Sequence, residues 1–73
     1  MGKERIWLKN IRESKKLTQE KIAAKLSVTR QHIGLIENGV TNPSPDLAKK
    51  IAKTLDFDWT LFYQDETENK EAM

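Results

Sequence analysis

The sequence predicts an all-α fold of short helices, and three observations carry that prediction. Apolar residues recur at helical spacing: Ile22 and Leu26 share one face, and Ile33 and Ile36 share another. Only Ser27-Val28-Thr29 lies between those two segments, too little for anything but a tight turn. Further on, Ser44-Pro45-Asp46 opens another helix with a capping hydroxyl, a proline at the first helical position and an acid at the positive helix end. Two short helices joined by about 3–4 residues, each with one apolar face, are a helix-turn-helix.

Taken in order, the first helix runs from about Glu4 to Lys15, with Trp7, Leu8 and Ile11 as its apolar stripe. Glu4, Arg5, Lys9, Arg12 and Glu13 are expected on its wet side. Lys16-Leu17 makes a short connection, and Thr18 caps the second helix, with Gln19 and Glu20 in its first turn. Ala23 suits a point where another helix crosses closely. Lys21 and Lys25 read as a solvated face. Thr29 caps the third helix, about Arg30 to Glu37, whose outer face carries Arg30, Gln31 and His32, with Leu35 beside them. Gly34 is unexpected inside a helix, where it costs about 0.5–1 kcal/mol relative to alanine. Close approach of a partner and drift at an exposed position both account for it. Asn38-Gly39 stops this helix, glycine being the natural left-handed terminator. The fourth helix reaches about Leu55, burying Leu47, Ala48, Ile51 and Leu55. Asp58 caps a fifth, formed by Trp59 to Tyr63, and Phe57, Leu61 and Phe62 are expected to close the core. Residues 1–63 thus read as one domain, and the polar, acidic stretch 64–73 as a disordered tail.

Composition narrows the function classes. A chain of 73 residues leaves no room for a separate sensor or catalytic module. There is no cysteine, which removes disulfides and thiolate metal sites, and one histidine is a poor ligand set by itself. No metal or other cofactor is expected. With no glycine-rich phosphate loop and no paired carboxylates either, the sequence speaks against an enzyme. The N-terminus has no apolar core of a secretory signal, and no apolar run approaches the roughly 18 residues of a membrane span. A cytoplasmic location is therefore expected, with no membrane partner and no small-molecule ligand. Charge is unevenly distributed. Through Lys53 there are 12 Lys and Arg against five acids, a net +7, whereas the remainder carries net −5. The half with the helix-turn-helix is the half suited to nucleic acid.

The stretch LTQEKIAAKL-SVTRQHIGLIENG resembles the helix-turn-helix of the Cro and phage-repressor type, the XRE-like family. Its marks are the opening Leu17-Thr18-Gln19 with Ala23, the run Val28-Thr29-Arg30-Gln31, and the closing Ile36-Glu37-Asn38-Gly39. The likeness extends from about Trp7 to Phe62. It implies a compact five-helix, lambda-repressor-like DNA-binding domain, with the motif at helices 2 and 3. It also implies an ion pair between Arg12 and Glu37, either as a plain tertiary contact or to aim Arg12 at a DNA phosphate. Gln19 would bond a phosphate from the helix N-terminus, and Asn38 and Asn42 would grip the DNA backbone. By position, the Thr29 hydroxyl suits a phosphate as well as a cap, and His32 suits either a phosphate-proximal side chain or a plain surface histidine. Arg30, Gln31 and Leu35 match the base-reading positions: arginine for guanine or a phosphate, glutamine for adenine, leucine for a thymine methyl. Relatives dimerise through the end of the domain, so Trp59, Phe62 and Tyr63 are the expected interface, with burial in the monomer core as the other reading. Three residues depart from the family pattern. Lys16 and Ser27 stand where glycine is usual, so each turn places a side chain in or near the left-handed region. Leu35 stands where a polar residue is common.

The function this resemblance implies is a sequence-specific transcriptional regulator, a repressor binding a near-palindromic operator as a homodimer on double-stranded DNA. The alternative is an antitoxin or restriction-modification controller that works with a protein partner. An interaction module that has lost DNA binding fits less well with the basic first part and the Arg30-Gln31 pair.

Overall fold

A computed structural model describes residues 4–63, and the acidic stretch 64–73 lies outside them. The described chain contains α1 (Ile6–Ser14), α2 (Gln19–Leu26), α3 (Arg30–Glu37) and α4 (Pro45–Leu55). A fifth helical segment occupies 61–63, and no strand occurs among the described residues. The compact all-α, five-helix fold expected from the sequence is the fold observed.

Side-chain caps define three of the helix starts. Thr18, Thr29 and Ser44 accept from the backbone N–H of Lys21, His32 and Leu47 at 3.1, 3.1 and 3.2 Å. Each satisfies one of the donors that a helix N-terminus leaves open. The start of α1 is different. Arg5 precedes it without a side-chain cap, and its backbone N–H donates to Glu37 O at 2.7 Å. That tertiary bond holds the chain out of the helix until Ile6, so α1 is shorter than the expected span from Glu4 to Lys15.

Helices α1 to α4 end alike. Two or three positions past each helix end, a backbone N–H bonds a carbonyl five residues back: Leu17 to Arg12, Val28 to Ala23, Val40 to Leu35 and Phe57 to Ala52. This closure needs a left-handed residue between. Gly39 supplies it after α3, but Lys16, Ser27 and Asp56 supply it elsewhere, at φ of 58°, 58° and 63°. The apolar residue that follows anchors three of the turns, since Leu17, Val28 and Phe57 pack against the core.

That core is one cluster built from Leu8, Ile22, Ala23, Ile33, Ile36, Ala48, Ile51, Leu55 and Phe62. Ile36 is wholly buried, and Ala23 lies in the same cluster as Ile33 and Ile36 from α3. Trp7 meets Phe57 and Phe62 edge-on, at centroid distances of 5.4 and 5.3 Å. Such pairs add about 0.5–1.5 kcal/mol each beyond burial, and here they fasten the 57–62 segment to α1. Phe62 is therefore a core residue, 3% exposed. This corrects its assignment to a dimer interface, because the side chain is already covered by Trp7 and Phe57. Leu61, expected in the core, is only half-buried and lies outside the cluster.

Candidate nucleic-acid interface

The helix-turn-helix presents a shallow groove beside α3, lined by Gln19, Arg30, Gln31, Gly34, Leu35 and Asn38. Arg30, Gly34 and Asn38 are four residues apart and form one row; Gln31 and Leu35 form the next. Leu35 is half-buried and borders this groove rather than the core. Arg30 and Gln31 are exposed at the N-terminal end of the helix, where no other element among the described residues covers them. A second notch, lined by Arg12, Thr18, Gln19, Glu20 and Arg30, adjoins the first across Gln19 and Arg30.

The remaining expected contacts sit elsewhere. Thr29 is exposed, with its hydroxyl capping α3. His32 is half-buried and does not line the groove. Asn42 is exposed, and its Oδ1 accepts from Arg5. Since arginine only donates, this bond assigns the carbonyl end of Asn42 inward and leaves its NH₂ as the outward group.

Two buried arginines of the α1 segment support this surface. Arg12 donates from Nε to Glu37 Oε2 at 2.6 Å and from a terminal nitrogen to Oε1 at 3.3 Å. Its other terminal nitrogen donates to Leu17 O at 2.7 Å. Gln19 Nε2 donates to Glu37 Oε1 at 3.0 Å, so one carboxylate gathers α1, α2 and α3. The implied Arg12–Glu37 ion pair is present, and Arg12 is a buried tertiary partner with one edge at the second notch.

Arg5 does comparable work at the far end of α3. It donates to Ile36 O at 2.7 Å and to Thr41 O at 3.2 Å, and lies 5.4 Å from the Phe62 ring centroid. Arg5 and Arg12 are therefore buried, not on the wet side of α1 where the sequence predicts them. Helical spacing carried the signal, because residues 5, 8 and 12 share the face that buries Leu8. The charge of the two side chains masks that signal.

At the end of the domain, Trp59 is half-buried and Tyr63 is 39% exposed, with their rings edge-on at 5.4 Å. Lys49 Nζ sits 4.9 Å above the Trp59 ring. Among the described residues there is no His, Cys, Asp and Glu cluster suited to a metal, and no helix long and apolar enough to cross a membrane.

A capped helix pair with a tight turn, its second helix exposing Arg30 and Gln31, defines a DNA-binding helix-turn-helix domain. Comparison with known proteins places it more narrowly. The helix-turn-helix family model matches residues 8–62. An HTH-type transcriptional regulator of Bacillus subtilis (strain 168), YqaF, is 44% identical over 61 residues, covering 84% of this chain and 80% of the relative. A second HTH-type transcriptional regulator, from Methanocaldococcus jannaschii, is 54% identical over 46 residues, covering 63% and 70% respectively. The chain belongs to the Cro and phage-repressor type, XRE-like family of helix-turn-helix regulators. Its class is DNA-binding transcription regulation, which is not an enzyme class.

Proposed function

We propose that this protein is a sequence-specific regulator, most simply a repressor, which binds a near-palindromic operator as a homodimer through the major groove. The observation that carries this reading is the convergence of Arg30, Gln31 and Leu35 on one groove at the uncovered face of α3. Arginine and glutamine present donor and acceptor sets that match guanine and adenine edges, and leucine matches a thymine methyl. Phosphate contacts set the register. The backbone donors at the α2 N-terminus, the Asn42 NH₂ group and Asn38 are our choices for them, with Thr29, His32 and Arg12 at the margins. Trp59 and Tyr63 form the two-fold contact, and two copies of α3 then lie about 34 Å apart on successive major grooves. Occluding a promoter is the simplest output of such a complex.

Selection of bound sequences from a random DNA pool tests this directly. The expected product is a pair of inverted half-sites at one helical-turn spacing. Arg30→Ala and Gln31→Ala should each cost about 1–3 kcal/mol at one base position. A pool without enrichment, together with salt-sensitive weak binding only, would refute the reading. A co-purifying protein partner in that case would favour the antitoxin or controller alternative.

A further inference from the structure

The groove beside α3 contains an acceptor whose direction is set from beneath. The Glu37 carboxylate is buried and held by Arg12 at 2.6 and 3.3 Å. An ionised carboxylate only accepts, so the Gln19 group 3.0 Å from it must be the amide nitrogen. The opposite orientation would set two acceptors together without a proton. Gln19 Oε1 is therefore the other end of the amide. It lies 3.6 Å from the point where a side chain at residue 34 would begin, with Nε2 at 3.8 Å and Cδ at 4.0 Å. Because residue 34 is glycine, no side chain rises from that position of α3 over this carbonyl. The amide borders the groove shared with Arg30, Gln31, Leu35 and Asn38.

A carbonyl oxygen in that place is the wrong group for a phosphate, whose oxygens also only accept. The partner it suits is an N–H donor. In the major groove the donors are the N4 amino group of cytosine and the N6 amino group of adenine. We infer that Gln19 is a specificity-determining residue that accepts a hydrogen bond from the exocyclic amino group of one cytosine or adenine, through the opening left by Gly34. The inference rests on the DNA-reading proposal above and adds a base contact from α2 to those from α3. It replaces the phosphate role that the family resemblance implied for the Gln19 side chain. It also gives Gly34 a purpose that packing does not, since a methyl group there would meet Gln19 only at ordinary contact distance.

The test uses the full chain and its selected operator. Affinities are measured for every single base-pair variant, and for operators in which purine replaces adenine or 2-pyrimidinone replaces cytosine, removing only the amino group. The wild-type protein should lose about 5- to 150-fold at one such position, the range of a good base contact. Gln19→Ala should be indifferent to the same replacement. Gly34→Ala should lose selectivity there while its melting temperature does not fall. Three results would overturn the inference. One is a uniform loss across sequences in Gln19→Ala, which marks a phosphate contact. Another is a Gln19→Ala pattern identical to that of Arg30→Ala and not additive with it, which marks a residue that positions Arg30. The third is a selective wild type insensitive to every amino deletion, a readout that needs no variant to fold. If the wild type selects no sequence at all, the regulator reading fails and this inference fails with it.

Discussion

Arg12→Met removes a guanidinium while keeping most of the aliphatic volume. The partner it abandons is Glu37, at 2.6 Å, in a pair whose side chains are only 10% and 4% exposed. Two magnitudes compete. An exposed ion pair contributes about 0–1 kcal/mol. Removing one member of a buried pair costs about 3–5 kcal/mol, because the remaining charge stays desolvated and unpaired. The low exposure places this pair in the second class, and the surviving bond from Gln19 Nε2 places it toward the lower end. A domain of this length has total stability of about 4–11 kcal/mol, so the variant should remain folded but lose a large share of it. Adding Glu37→Leu should reverse most of the loss, since an apolar pair of similar volume has no charge to strand. The assay is urea unfolding followed by circular dichroism, with an unchanged denaturant slope as the control for two-state behaviour. A cost below about 1 kcal/mol for Arg12→Met would refute the argument, because it would mean the pair behaves as an exposed one. A double variant worse than the sum of the singles would refute it too. If both expectations hold, the rescued double variant isolates Gln19, whose amide then has no carboxylate to orient it.

Two further outcomes follow from local geometry. Ser27 holds a left-handed conformation, φ 58° and ψ 40°, which costs a non-glycine residue about 1–2 kcal/mol. Ser27→Gly removes that cost but adds freedom to the unfolded chain worth about 0.4–1 kcal/mol. A net gain of about 0.5–1 kcal/mol in urea unfolding is expected, and a loss would show that the serine side chain contributes something the backbone does not explain. Asp58 Oδ1 accepts from the backbone N–H of Thr60 at 3.0 Å and from its hydroxyl at 2.8 Å. The backbone bond first and the hydroxyl second hold its carboxyl below the ordinary 3.8. A lowered carboxyl contributes stability that is fully present above the ordinary value and is lost as pH falls through the lowered one. Thermal melts on the acid side of about pH 4 should therefore fall less steeply for Asp58→Asn than for the wild type, and parallel curves would refute the assignment.

Much of the fold was legible because its starts carry chemistry. Thr18, Thr29 and Ser44 each announced a helix by residue type, and each caps one. The apolar spacing likewise placed Leu8, Ile22, Ile33, Ile36, Ile51 and Leu55 in the core. The helix ends were less readable. Gly39 was visible as a stop, and Lys16 and Ser27 could be suspected only against the family pattern. Asp56 gave no signal, because an aspartate in the left-handed region looks like any other aspartate. The two buried arginines were hidden by their charge, although Arg5 and Arg12 keep the spacing of the buried face. Phe62 was ambiguous because an aromatic residue suits a core and an interface equally. The groove residues Arg30, Gln31 and Leu35 were legible as a set. The direction in which the Gln19 amide points was not, since it depends on a carboxylate eighteen positions away.

The placement of those arginines has a mechanical consequence for α3. The helix has eight residues with a glycine among them, and a helix so short and so interrupted is marginal without tertiary support. Its apolar face supplies Ile33 and Ile36, and its C-terminal end is held by charge and hydrogen bonds. Carbonyls at a helix C-terminus lack intrahelical donors and carry the negative end of the helix dipole. Arg5 supplies both a donor and a positive charge there, bonding Ile36 O at 2.7 Å through its side chain and Glu37 O at 2.7 Å through its backbone. The same guanidinium bonds Thr41 O and Asn42 Oδ1 and faces Phe62, so α3, the loop after it and the 61–63 segment share one anchor. Hydrogen bonds with fixed directions resist rotation of a short helix about its own axis better than non-directional apolar contact does. An apolar clamp of equal strength would let α3 roll, and rolling would carry Arg30 and Gln31 off the groove they line. The burial of two arginines in so small a domain is thus accounted for by the orientation of the helix they hold.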